Sequence, residues 1–393
     1  MNRLRIPVAL LLVVQPLGSL SAQTPRTGLE VGGVPALNFD ADEGFGYGVV
    51  LELYSYGAEG AAPYLWTLQP TVFLTTEGRR DVTLFFDSPY LLPGGWRVDA
   101  SLGSEEQIAT PYYGTGNATP YFEANESEEN PYYYRFGRTR RRLAANLQHP
   151  VGHLPLRVLV GAAISRVTVR PVPENEGTTF LEQELGGSPA PSGWSNSVRG
   201  GVVWDTRDRE TGPRRGTWTE LLVQRADGAL GSDWSFTRVT LADRRYWSLG
   251  RRLVLANRLL LQHVTAGAPL PELHVVQTSY KAQEGLGGAR SVRGIPKNRF
   301  VGRGLFIWNT ELRWRAAEFE LFGRLFHATL SVFHDAGRVW EGGPRLDELI
   351  EEVHRGYGGG LRIGMGENFV VAVDGGTSRL AGLPIYVGLG YLF

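Results

Sequence analysis

From about residue 34 to the carboxy-terminal end, apolar and polar side chains alternate along short segments separated by Gly, Pro, Asp and Asn clusters. A period of two marks strands with one apolar and one polar face. Two stretches display it most fully. Across 307–315, Trp308, Thr310, Leu312 and Trp314 fall on one face, with Asn309, Glu311, Arg313 and Arg315 on the other. Across 328–335, Ala328, Leu330 and Val332 oppose Thr329, Ser331 and Asp335. Charges at every second position need an interior that is solvated or tightly paired. An all-β fold, a transmembrane antiparallel β-barrel with its apolar face toward lipid, meets that need.

Sixteen such segments are predicted, at 34–41, 45–57, 63–76, 79–89, 95–104, 132–148, 155–172, 196–206, 216–226, 234–247, 252–264, 304–315, 323–338, 355–364, 368–375 and 384–393. Antiparallel closure of such a barrel requires an even number. The connections alternate in length. Those at 105–131, 173–195, 265–303 and 341–354 are long and follow odd-numbered strands. Gly94-Gly95, His149 to Leu154, Leu249-Gly250 and Met365 to Glu367 are tight turns after even-numbered ones. That parity belongs to an outer-membrane barrel, with the short rim in the periplasm, and a soluble sandwich does not predict it.

The final segment puts Ile385, Val387, Leu389, Tyr391 and Phe393 on one apolar face. A terminal aromatic on such a face resembles the assembly signal of outer-membrane barrels, carried here by Tyr391 and Phe393. Aromatic residues such as Tyr54, Tyr56, Trp66, Trp247 and Trp340 gather at strand ends, where a ring can be apolar on one side and wet on the other. The acidic stretch 123–129 reads as a solvated outer loop, because the spacing of a calcium-binding loop is absent.

Composition narrows the class. The 393 residues include 51 Gly, 10 Trp, 16 Tyr and 17 Phe, a content high for a soluble enzyme. No apolar run of ~18 residues lies beyond the amino terminus, which excludes helical spans. Lys+Arg and Asp+Glu are 40 each, so no net field draws the chain to nucleic acid. The absence of Cys removes disulfides, thiolate catalysis and Cys-ligated zinc. Arg3 and Arg5, the apolar stretch from Ile6 to Val14, and Ser21-Ala22 read as a signal peptide over 1–22. A short segment at 23–33 and a barrel domain at 34–393 follow.

Catalytic patterns are missing. There is no Gly-x-Ser-x-Gly elbow and no P-loop. The seven His are scattered, and Ser331 and His334, three apart on a strand, point to opposite faces. No enzyme activity, cofactor or metal is expected. Arg293 stands out instead, in a Gly-rich loop with no evident reason to carry a buried charge.

Four segments carry a family resemblance. They are FDADEGFGYG at 39–48, VWDTRDRETGPRRG at 203–216, GGARSVRG at 287–294 and FHDAG at 333–337. In this order they resemble the BamA and TamA superfamily of outer-membrane assembly barrels, the bacterial surface antigen family, over essentially the whole chain after residue 22. The resemblance implies that Arg293, between Val292 and Gly294 of the loop motif, tucks into the lumen and pairs with Asp335, with Glu311 as second partner. Two departures are visible. Ile295-Pro296 follows the Val-Arg-Gly motif where the family usually has an aromatic. Only about a dozen residues separate the predicted cleavage site from the first strand, so periplasmic POTRA domains are not expected in this chain.

The resemblance further implies residence in the cell outer membrane and assistance to insertion or translocation of proteins or lipids there. Outer-membrane lipids, unfolded outer-membrane proteins or a periplasmic partner are the expected partners. The mechanism would rest on a weak seam between the first and last strands, with Gly44, Gly46, Gly48, Gly388 and Gly390 thinning the pairing. A passive pore or structural barrel is the alternative reading, and a barrel hydrolase a third.

Overall fold

A computed structural model describes residues 27–40, 44–61, 64–172, 175–210, 212–279, 283–321, 324–365 and 369–393. The signal-peptide reading over 1–22 and most of the turn at 365–367 lie outside these residues. The wall begins with β1 (Gly28–Asp40), β2 (Gly44–Gly57), β3 (Trp66–Thr75), β4 (Arg79–Leu92), β5 (Trp96–Pro111), β6 (Arg135–Pro150), β7 (Leu156–Arg170) and β8 (Ser197–Asp205). It continues with β9 (Gly216–Ala226), β10 (Phe236–Ser248), β11 (Leu253–Val264), β12 (Gly304–Leu321), β13 (Arg324–Trp340), β14 (His354–Met365), β15 (Phe369–Thr377) and β16 (Ile385–Leu389). These sixteen, with the two-residue piece Gly193–Trp194 set against β7, make one seventeen-stranded antiparallel sheet.

Each strand pairs with its successor, and β16 returns to β1 through Phe39 opposite Val387. Alternation aims the side chains as the pattern predicts. Leu143, Ile164, Leu312, Trp314, Leu330 and Val332 are exposed on the outer face, whereas Asn309, Glu311, Arg313, Ser331 and Asp335 are buried inside. Several boundaries differ from the sequence reading, β12 for one running on to Leu321 instead of ending at 315. β1 starts at Gly28, so part of the expected 23–33 segment is wall strand. β5 extends to Pro111, seven residues beyond the predicted end at 104. β16 stops at Leu389 instead of running to Phe393.

The long loops share one rim. Among them the described residues of 265–303 do not lie over the mouth but fill the lumen. The loop's Val276, Leu286, Val292, Ile295 and Phe300 are buried against the wall residues Ala242, Leu260, Leu305, Ile307 and Val339. Apolar side chains inside a polar lumen thus have their own core. Loop 112–134 lies over this filling: Gly116 N–H donates to Val301 O at 2.8 Å, and the Arg299 guanidinium donates to Thr119 Oγ1 at 2.7 Å.

Candidate functional site

The loop is steered inward by backbone that only glycine adopts readily. Gly294 has φ +90°, and a Cβ there would stand 2.7 Å from Thr377 O. The turn therefore needs both the left-handed conformation and the missing side chain. It aims Arg293 at the polar face of β12, β13 and β15.

Arg293 is fully buried. Its Nε and Nη2 donate to the two oxygens of Asp335 at 2.8 and 3.1 Å, a bidentate pair that its backbone N–H supplements at 3.1 Å. Nη1 donates to Glu311 Oε1 at 2.6 Å and to Asp374 Oδ2 at 3.2 Å. The guanidinium plane lies 3.5 Å from the Phe333 ring centroid. Phe333 and Asp335 share the inner face of β13, so one strand supplies ring and carboxylate together.

The carboxylates have further partners. Arg313 Nε donates to Glu311 Oε2 at 2.7 Å, and Arg362 Nη2 to Asp374 Oδ2 at 2.9 Å. Asn309 Nδ2 spans Asp335 Oδ1 at 2.8 Å and Ser291 O at 2.6 Å. Three guanidinium groups thus balance three carboxylates, and the network continues through Asn309 to buried Arg258 and through Arg313 to Phe393 O. Balance is what allows so many charges out of bulk water, since a lone buried charge is costly while a hydrogen-bonded set offsets that cost. The structure brings together Arg293, Asp335 and Glu311. It adds Asp374, Arg313, Arg362 and Phe333, which sequence reasoning did not assign. Their signal was present in the alternation that points each into the lumen. Val292 and Ile295 are fully buried in the apolar cluster, where Ile295 fills the space after the motif.

A second anchor of opposite sign holds the descending limb of the loop, and the sequence reading missed it. Buried Glu272, in the short helix Leu270–Leu273, accepts from Arg238 Nη2 of β10 at 2.8 Å. Arg140 of β6 donates to Pro271 O at 2.9 Å, and Arg199 of β8 to Thr278 O at 2.9 Å. The loop therefore spans the lumen, its acid on a basic wall and its arginine on an acidic one.

The loop also reaches the last strand. Gly294 N–H donates to the Tyr386 hydroxyl at 3.2 Å. At Gly390, φ is +82° and the chain leaves the wall. Tyr391 and Phe393 then turn into the lumen beside Arg313, whose guanidinium carbon lies 4.6 and 5.1 Å from their ring centroids. This corrects the expectation that both continue the outer face of Ile385 and Val387. The cause is the positive φ, which ends the two-residue alternation.

The seam assignment also needs correction. Gly44, Gly46 and Gly48 lie in β2, which pairs with β1 and β3. They let β3 approach closely: a Cβ at Gly46 would meet the Phe73 ring and one at Gly48 the Val72 carbonyl. Gly388 is in β16 and Gly390 follows its end. The seam is instead short because β16 has five residues and, among the described residues, meets β1 at the one registered pair Phe39 and Val387.

This geometry agrees with the comparisons. In the solved structures, BamA from Haemophilus ducreyi lacking POTRA domains 1–3 superposes with a TM-score of 0.60 at 14% identity, covering 93% of this chain and 70% of that one. CdiB from Escherichia coli gives 0.59 at 12% identity, covering 95% of this chain and 64% of that one. CdiB from Acinetobacter baumannii gives 0.50 at 13%, covering 94% and 61%. The chain therefore spans less than two thirds of either CdiB protein's length, and at these identities the likeness is one of fold. Comparison with curated protein sequences found no match. The profile of the Omp85 superfamily domain matches residues 71–366. With the arginine-carboxylate network and the sixteen-stranded wall in place, that match assigns the chain to the Omp85 superfamily of outer-membrane barrels.

Proposed function

We propose that the barrel inserts or passes proteins at the outer membrane through the seam between β1 and β16, with loop 265–303 closing the lumen. Membership of the Omp85 superfamily supports a role of this general kind. The observation that carries the finer reading is the seam. Crossing a bilayer takes ~9–11 tilted residues, and β16 has five. Beyond Phe39 the seam edge of β1, from Gly28 to Asn38, has no registered partner among the described residues. Unpaired backbone groups in a bilayer cost several kcal/mol each. An incoming β-segment completes such an edge by strand addition. A polypeptide supplies those hydrogen bonds and an acyl chain does not, which favours protein over lipid as cargo.

The passive-pore reading has less support. Loop 265–303 fills the lumen with an apolar cluster and is tied to both walls. The network around Arg293 would hold that closed state until the loop is displaced.

The chain has no native Cys, so Phe39→Cys with Val387→Cys gives one cross-link at the registered pair. Directly opposed antiparallel positions have Cα atoms about 4.5–5.5 Å apart, within the span of a disulfide. In proteoliposomes, the oxidised protein should fail to insert an unfolded outer-membrane client and should recover on reduction. Equal insertion by the oxidised and reduced forms would overturn the reading.

A further inference from the structure

The outer face of β4 to β7 changes character close to the loop rim. Leu84, Leu102, Leu143 and Ile164 are exposed there on one rung and form part of the lipid-facing band. Beyond them, toward the long loops, the same face carries Arg80, Glu106, Arg141, Arg166 and Arg170. Register sets them on neighbouring rungs, one through Arg80 and Glu106 and the next through Val82, Ser104, Arg141 and Arg166. Arg80 is opposite Glu106, Arg141 is opposite Arg166, and Trp194 lies beyond Arg166.

Glu106 accepts from Arg170. Arg166 covers the Trp194 ring at 5.2 Å. Neither Arg141 nor Arg166 has a carboxylate partner among the described residues, although they oppose each other directly across the ladder. Like charges so placed destabilise a strand pair. One glutamate among four arginines does not correct the imbalance, and the row sits where the apolar band ends, at head-group level.

We propose that this face binds a phosphate-bearing acyl lipid of the outer leaflet. Its phosphate lies between Arg141 and Arg166, and its chains lie along Leu84, Leu102, Leu143 and Ile164. A guanidinium fork matches phosphate oxygens bidentately, and two forks relieve their mutual repulsion on one anion. Trp194 marks the interface at which head group and chain meet. The apolar half of the site is what a free anion cannot use, so the occupant is a lipid. This site is independent of the seam and of the lumenal network.

The test uses the full chain in phosphatidylcholine nanodiscs doped with phosphorylated lipid A or with the same lipid dephosphorylated, retained lipid being read by native mass spectrometry. The phosphorylated form should be retained preferentially. Arg141→Gln with Arg166→Gln should lower retention roughly thirtyfold, at about one surface arginine contribution each, with the heat-modifiable barrel intact. Each single variant removes the like-charge contact and should lower retention roughly fivefold, at one arginine contribution, on a barrel that folds at least as well. Equal retention of the dephosphorylated lipid, or unchanged retention by the variants, overturns the proposal. Full displacement by inorganic phosphate also overturns it and makes the site one for free anions.

Discussion

The Gly294 N–H donates to the Tyr386 hydroxyl at 3.2 Å, joining the tip of the lumenal loop to the last wall strand. Asp335 and Tyr386 therefore hold the same turn through consecutive backbone N–H groups, Asp335 accepting from Arg293 and Tyr386 from Gly294. Loop position and seam position are mechanically linked, since β16 is the strand that meets β1.

That link predicts the behaviour of Tyr386→Phe. The ring stays and the acceptor is lost, orphaning a buried N–H at a cost of about 1–3 kcal/mol. The variant should convert from the compact to the unfolded gel form at lower temperature and show more frequent channel openings in planar bilayers. Wild-type values in both assays would mean that loop and seam are uncoupled.

Arg293→Ala and Asp335→Ala should each destabilise the barrel by roughly 3–5 kcal/mol, because each breaks the buried bidentate pair. The double variant should be little worse than either alone, since both remove one shared interaction. Denaturant unfolding in detergent, run as a double-mutant cycle, measures the coupling. Simple addition of the two losses would show that the residues act separately.

Glu272→Gln tests the second anchor. Loss of the carboxylate leaves Arg238 with the Glu272 carbonyl and Gln224 as neutral acceptors. Hydrogen exchange should accelerate across 270–279 while 291–295 keeps its protection, because the Arg293 network is untouched. Equal acceleration in both stretches would show that the loop opens as one unit.

Phe393→Trp reports where the last residues lie. The structure sets that ring beside Arg313 and Arg258, 5.1 and 5.4 Å from their guanidinium carbons. Because ten native Trp contribute background, the comparison is the difference between variant and wild type. The added fluorescence should resist quenching by brominated acyl chains. Quenching equal to that of an outer-face Trp introduced at Ile385 would place residue 393 against lipid. Deleting Phe393 should also reduce barrel assembly in cells more than deleting one residue of 123–129.

Sequence alone determined the wall. Period-two alternation depends only on neighbouring residues, so Asn309, Glu311, Arg313 and Asp335 could be sent inward and Leu312, Trp314, Leu330 and Val332 outward from the order of residues. The number of strands and the parity of the loops followed from the same local rule. The partnership of Arg293 with Asp335 and Glu311 was legible through motif resemblance, and the alternation of Val371 and Val373 with Asp374 puts that carboxylate on the polar face. Only the tertiary structure decided how these groups combine. Asp374 is 81 residues from Arg293, and their contact exists because closing the wall brings β15 around to the loop tip. The Glu272 anchor, the inward tail at Tyr391 and Phe393, and the short seam were equally hidden. Each depends on a long-range approach or on one positive φ at Gly390, and hydrophobic periodicity carries no information about either.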